Sequence, residues 1–515
     1  MTAAAPPIEP AERDRPLKGR VARGAAWVLG AGLFARALGA LNTIIVARLL
    51  APDDIGLVAV AVAAMQLLQG FSDIGVSQAV VKFRDASRDD LDTLFALSVL
   101  RGLAVGAALA AAAPFAAAFY GDERMFWAFL AIAAFPVATG FINPKFYEFE
   151  RDLNFTREFI STVLNKFAGV VVSIAVAVIF RTYWAILLGL LTGGVVQLIL
   201  SYAMRPFRPR FRFKSFRKVF GLSGWLTGVS FMAALNNKLD APVLARLVGA
   251  GGAGFYFMGA QLSALAAQQI AGPFGRAVYP GLSALQGDRD RMAAAFLRSV
   301  AALGAVALPA ALGAALIAED MVLFILGERW LAVAPIIQIL APAIAVESLL
   351  LGVQGYAVAL GAARLVFIRE LIFFAVRFPV FLWATLAFGL AGAVWAAAGC
   401  SLLHAVFNLA LYARAGGRAF WEPLAAVRRS IAAAAGMAAY FLALRPMLTA
   451  LETAPLLARL FADIGAGAAV YVLLHALLWR LAGRPDGPER DALRIVRRVA
   501  AGGRGRKAGA VRASL

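Results

Sequence analysis

Residues 47–56 read ARLLAPDDIG and residues 245–254 read ARLVGAGGAG, nearly the same phrase 198 residues apart. At the same offset and without a gap, Val46 stands opposite Leu244, Ala79 opposite Ala277 and Val80 opposite Val278. The likeness continues beyond the quoted phrase, and a period near 200 in a chain of 515 residues is the length of a whole bundle of helices. Two shorter echoes fall at corresponding places: FTREF at 155–159 with FIREL at 367–371, and GDERMFW from 121 with GERWLA from 327.

Composition decides what kind of bundle repeats. Hydrophobic residues make up 62% of the chain and charged residues 16%, with a mean hydropathy of +0.77, against about 25% charged and roughly 45–50% apolar in soluble domains. The apolar residues fall in runs long enough to cross a bilayer as helices, which takes about 20 residues. The pattern predicts fourteen: 24–47, 55–80, 93–119, 125–144, 158–180, 183–204, 219–245, 253–280, 294–317, 331–360, 365–388, 389–413, 430–448 and 457–479. No cleaved signal peptide is expected before the first, which is expected to act as its own insertion signal. Cys400 is the single cysteine, and His404 and His475 are the only histidines, too few for a zinc site; no metal or cofactor is expected. No G-x-x-x-x-G-K-[ST] phosphate loop occurs, so any transport is expected to draw on a gradient.

Lys and Arg mark the cytoplasmic side of membrane proteins. With the N-terminus cytoplasmic, only seven of the 50 Lys and Arg residues fall in outside loops (Arg48, Arg124, Arg181, Arg246, Arg329, Arg445, Arg459), and both termini are expected inside. The loop RPFRPRFRFKSFRK, 205–218, carries seven cations and no acid. It reads as a cytoplasmic linker on anionic lipid rather than a nucleic-acid site, as does the basic tail. The expected organisation is a cytoplasmic segment 1–23, an N-lobe 24–204, the linker 205–218, a C-lobe 219–413, two further helices within 430–480 and a tail 481–515. The two six-helix lobes would be parallel repeats around a central cavity.

Six cations lie inside the predicted helices: Arg36, Arg101, Lys166, Lys238, Arg276 and Arg377. Each costs roughly 2.5–3.5 kcal/mol at a bilayer centre by insertion scales, so each needs water or a partner. Arg36 lies near the middle of the first helix, and Arg101, Lys166 and Arg377 share one depth 8 or 9 residues from the inner surface. These four are expected to face one cavity. Lys238 reads equally as an ion pair with Asp240, and Arg276 and Glu370 equally as residues reaching the interface. The acids are fewer: Asp73, Asp240, Glu347 and Glu370, with Asp73 or Asp240 the expected ion-coupling site. Amides add Gln66, Gln69, Asn143, Asn165, Asn236, Asn237, Gln261, Gln268 and Gln269. A cationic, amide-lined cavity suits a ligand bearing hydroxyls and anionic oxygens. Helix breakers at GPFGRAVYP (272–280), Pro144 and Pro342 mark expected bends.

The stretch ARLLAPDDIGLVAVAVAAMQLLQGFSDIGVSQAVVKF resembles the first-to-second-helix signature of the Wzx-type oligosaccharide flippases. These belong to the multidrug/oligosaccharidyl-lipid/polysaccharide superfamily. NNKLDAPVLARLVGAGGAGFYFMGAQL and GPFGRAVYPGLSALQGDRDRMAAAFLRSV resemble their seventh-to-eighth and eighth-to-ninth segments. The likeness spans about residues 20–415. It implies a non-enzymatic carrier that moves an undecaprenyl-diphosphate-linked oligosaccharide across the bacterial inner membrane by alternating access. Membrane lipid, a polysaccharide polymerase and glycosyltransferases are the implied partners, with no nucleic acid and a monomeric chain expected. Lipid II flippases of the same superfamily use an arginine on the first helix, to which Arg36 is similar by helix alone. A drug antiporter, a lipid II flippase and a non-transporting scaffold for polysaccharide enzymes are the alternatives. The excess of cations over acids weighs against a carrier of cationic drugs.

Overall fold

The computed structural model describes residues 17–71, 87–151, 155–214, 231–265, 288–447, 454–485, 487 and 489–490. Their regular structure is helical, with no strand, and nine of the described helices are long and apolar enough to cross a membrane. The chain divides into two compact units, Met1–Gly254 and Phe255–Leu515.

The first unit contains α1 (Leu17–Leu49), α2 (Pro52–Phe71), α3 (Arg88–Tyr120), α4 (Arg124–Gly140), α5 (Phe155–Phe180), α6 (Trp184–Met204) and α7 (Asp240–Leu247). Local chemistry sets the ends. α2 opens with Pro52, whose fixed φ suits a first helical turn, and with Asp53 and Asp54 at the positive end of the helix dipole. α3 opens with a reciprocal cap: the Asp90 amide donates to Ser87 Oγ at 3.2 Å and the Ser87 amide to Asp90 Oδ2 at 3.1 Å. It closes at Gly121, whose φ of 68° is the left-handed stop that glycine adopts cheaply. Arg124 then ties the start of α4 to Asp122 at 2.8 Å and to Asp54 on α2 at 3.3 Å. Hydrogen bonding from that guanidinium holds the Asp122 carboxyl below the usual carboxylate range, so the clip is retained until pH falls through the lowered value.

The two copies of the repeated phrase meet each other. Gly56, on α2, lies so close to the chain at 250 that a Cβ on it would sit 1.9 Å from the Ala250 carbonyl oxygen. Gly254, its counterpart 198 residues on, would place a Cβ 2.0 Å from the carbonyl of Pro52, the counterpart of Ala250. The contact is its own mirror under the repeat. Small residues four apart permit such backbone approach between membrane helices.

The basic linker is docked. Arg212 and Lys214 reach Asp89 at 3.1 and 3.3 Å, the Arg210 amide donates to Asp92 Oδ1 at 2.9 Å, and Arg205 pairs with Glu148 at 3.2 Å. Phe211 packs edge-on against Phe95 at 5.5 Å. Residues 205–214 thus use part of their charge on acids of their own unit.

The second unit contains the rest of the helix 250–265, α9 (Arg289–Leu316), α10 (Ala334–Ser348), α11 (Ala363–Gly416), α12 (Glu422–Ala439) and α13 (Leu456–Leu481), where 250–265 is α8. α11 is two legs joined at Gly389, with φ 61° and ψ −140°, a conformation open to glycine; the bend falls at the boundary read from the sequence between 388 and 389. Around it Trp383, Phe388 and Trp395 are each about two-thirds exposed, an aromatic belt of the kind found at bilayer surfaces. The sequence treats 331–360 as one helix, whereas α10 ends at Ser348 and a separate helix spans Val353–Ala359. The rings of Phe296, Tyr356 and Tyr412 pack with centroids 5.3 Å apart, and Tyr412 Oη donates to Glu422 at 2.7 Å. α12 and α13 pack within this unit through Ala433, Ala434, Met437 and Tyr471, with Tyr471 Oη donating to the Ala305 carbonyl on α9 at 2.9 Å.

Candidate functional site

The first unit holds a half-open cavity of about 360 Å³ lined by α1, α4, α5 and α6. Its existence follows from sequence: Gly169 on α5 and Gly189 on α6 bring the two backbones into contact, while Gly193 and Gly194, a turn further on, contribute no side chain to the space. The polar lining comes from Asn42 on α1, Thr139 on α4, Asn165, Lys166 and Ser173 on α5, and Gln197 on α6. Gln197 Oε1 accepts from Ser161 Oγ at 3.0 Å and from the Asn165 amide, which orients the Asn165–Gln197 pair. Asn42 Oδ1 and Ser173 Oγ are sealed from solvent with no hydrogen-bond partner among the described residues. Leaving a buried polar atom unsatisfied costs about 1–3 kcal/mol, so both favour a ligand that brings hydroxyls. Lys166 supplies the charge, and its stem crosses onto α1 at Gly39, where a Cβ would lie 3.3 Å from Lys166 Cε. Arg36 sits one helical turn before Gly39 and is half-buried. A lone glycine thus leaves room for the lysine on the helix that carries Arg36.

The structure brings Asn165 and Lys166 together here with Asn42, Ser173 and Gln197, which sequence reading did not single out. The remaining residues are elsewhere. Arg101 is half-buried on α3, Gln66 and Gln69 are half-buried on α2, and Asp240 is half-buried at the start of α7. Asn236 is buried, Lys238 half-buried, and Asn237 exposed with its amide donating to the Ala233 carbonyl at 2.7 Å. Arg377 belongs to the second unit, half-buried with its guanidinium 5.8 Å from the centre of the Phe381 ring. Asp73, Gln268, Gln269 and Arg276 lie outside the described residues, as does the GPFGRAVYP stretch. Glu370 does not reach toward the interface: it is buried, paired with Arg369, because that turn of α11 faces Asn408 on the other leg.

Asn143, read from sequence as a cavity amide, is fully buried at the end of α4, where its side chain is spent on backbone. Nδ2 donates to the carbonyls of Ser201 at 3.2 Å and Arg205 at 2.6 Å, and Oδ1 accepts from the Lys145 amide at 2.9 Å. Asn143→Ala is expected to cost about 1–3 kcal/mol by stranding these groups. Thermal unfolding of the purified variant should show the loss, and unchanged stability would give the Asn143 side chain a role other than holding these backbone groups.

The profile of the family described as "Polysaccharide biosynthesis protein" matches residues 45–335, more than half of the chain. The chain belongs to this family. It is 23% identical over 333 residues to the lipopolysaccharide biosynthesis protein WzxC of Escherichia coli (strain K12), covering 63% of this chain and 67% of that one. To the succinoglycan biosynthesis transport protein ExoT of Rhizobium meliloti (strain 1021) it is 24% identical over 58% of this chain and 60% of that one. Among solved structures, the lipid II flippase MurJ in an inward closed conformation superposes with a TM-score of 0.67 at 13% identity, covering 88% of this chain and 99% of that one. This last likeness shows that the chain shares the fold of that protein.

Proposed function

We propose that the protein is a flippase that carries an undecaprenyl-diphosphate-linked oligosaccharide repeat unit from the cytoplasmic to the periplasmic leaflet of the inner membrane, by alternating access, for cell-surface polysaccharide. The supporting observation is Lys166 on the amide- and hydroxyl-lined cavity of the first unit, with Arg36 a turn away along α1 from the glycine it crosses. A cation beside oriented amides matches a ligand in which phosphate adjoins sugar hydroxyls. At about 360 Å³ the cavity is at the small end of small-molecule sites, which run from about 300 to 1,000 Å³. It therefore takes part of the headgroup. Arg101 and Arg377, with Lys238 and Arg276, are assigned to the anionic portion of the same substrate. A polymerase and glycosyltransferases would act on either side of this step. The deciding experiment compares polysaccharide at the cell surface with lipid-linked repeat units in the inner leaflet in a strain lacking the protein; unchanged surface polysaccharide would sink the reading.

The orientation follows from the loop charges. Reporter fusions after Arg205 and after the C-terminus are both expected to report cytoplasm. A periplasmic signal from either would break the parallel-repeat arrangement.

A further inference from the structure

The second unit holds two ionisable rungs across the legs of α11 that the headgroup site does not use. On one, His404 Nδ1 lies 2.7 Å from Glu347 Oε1 of α10, and its ring stacks on Phe373 of the first leg at 4.3 Å with 18° between planes. On the next, one turn away on both legs, Arg369 pairs with Asn408 and Glu370, all three buried. His404 stands 15 residues from the Gly389 bend and 12 from the end of the leg at Gly416, so each surface is about 18–22 Å away at 1.5 Å per residue. Its Nε2 is sealed from solvent and has no hydrogen-bond partner among the described residues.

We propose that His404 and Glu347 form a proton-binding site, and that its loading and unloading couples flipping to the proton gradient. With His404 neutral, Nδ1–H donates to the carboxylate, the pair carries one negative charge at mid-membrane depth, and Nε2 is the free base. A proton delivered by hydronium bonds to the Nε2 lone pair and the water leaves; the Nδ1 proton then either stays on the imidazolium or shifts to the carboxylate, leaving Nδ1 to accept from it. The pair is then neutral overall, the cheaper state in a low-dielectric interior. Histidine is the side chain whose ordinary titration spans the range in which cellular gradients operate.

The neighbours set the balance. Among the described residues of this unit, Glu347 is the one charged group on α10; the first leg contributes Arg364, Arg369, Glu370 and Arg377; His404's own leg adds Cys400 a turn away, with Tyr412 and Arg414 two to three turns along. Tyr356, of the 353–359 helix, faces Phe296 and Tyr412 two turns further along. Arg369 is engaged by Glu370 and Asn408, so its charge is locally offset, while Arg377, one turn from Phe373 on the other side, favours the deprotonated pair. Opposing charges on adjacent turns leave the site able to exchange its proton. A metal ion fits poorly: hard cations seek several oxygens, whereas this site offers one carboxylate, an imidazole nitrogen and a guanidinium a turn away.

The coupling claim rests on the transport reading; the binding claim does not. The full-length protein carries only two histidines, so ¹⁵N-histidine NMR in lipid nanodiscs gives two sets of signals, with His404 assigned by their loss in His404→Gln. Acidifying the sample from about pH 8 to 5 is expected to change the His404 signals, and Glu347→Gln to weaken that change through loss of the opposite charge. In proteoliposomes with a trapped pH dye, lipid-linked oligosaccharide extracted from the host should elicit proton movement that His404→Gln and Glu347→Gln both abolish. A His404 that stays neutral throughout that range overturns the site. Proton movement unchanged in both variants overturns the coupling. If wild-type protein moves no lipid-linked oligosaccharide at all, the substrate reading fails, and the NMR titration alone decides the site.

Discussion

Arg36→Ala is expected to reduce surface polysaccharide by about 10- to 100-fold while the protein still reaches the membrane at its normal level. The magnitude follows from the loss of one charge-assisted hydrogen-bonding group, about 1.5–3 kcal/mol, at 1.4 kcal/mol per tenfold. Lipid-linked repeat units should accumulate in the inner leaflet in proportion. Arg36→Lys should restore export only in part, because arginine presents a rigid fork to phosphate oxygens and lysine a point charge. Lys166 is already a point charge with its stem laid over Gly39, so Lys166→Arg gains no geometry and must fit a bulkier head beside α1; it too should fall short of wild type. Full export by an Arg36→Ala/Lys166→Ala double variant at normal protein level would mean that both cations serve the fold and that the diphosphate is handled elsewhere.

The contrast between these cations and Asn143 shows what a sequence carries about a membrane protein and what it does not. Hydropathy reads one helix at a time, and so the spans and the boundary at Gly389 are visible in it. Depth is also a property of one helix, which is why Arg36 and Lys166 stand out. Which neighbour a residue meets depends on how two helices lie against each other, and no periodicity encodes that. Asn143 looks like a cavity amide until Ser201 and Arg205 are seen to take its side chain. Gln197 looks like one polar residue in a run of Leu and Gly until Asn165 and Ser161 converge on it from α5. His404 and Glu347 are 57 residues apart and belong to different helices; in the sequence they read as a histidine without a zinc site and one acid among four. Charge counting, likewise, does not show the acids that residues 205–214 meet, Asp89, Asp92 and Glu148 of their own unit.

The repeated phrase is where sequence and structure coincide most closely, and it supports a second prediction about stability. Adding even one methyl at Gly56 would place it 1.9 Å from the Ala250 carbonyl, and at Gly254 2.0 Å from that of Pro52. Both obstacles are backbone, which cannot rotate aside, so α2 and the chain at 250–254 must separate. Overpacking of this kind costs about 1–3 kcal/mol, and the matched distances imply that Gly56→Ala and Gly254→Ala lower the unfolding temperature of the purified protein by similar amounts. Once the helices have parted to admit the first methyl, the second enters space already opened. The double variant should therefore be more stable than the sum of the two single losses predicts, by at least about 0.5 kcal/mol, the scale on which residues sharing one contact depart from additivity. Full additivity would show that the two glycines act at independent contacts. Wild-type stability in either single variant would show that the backbones are further apart than the crossing requires.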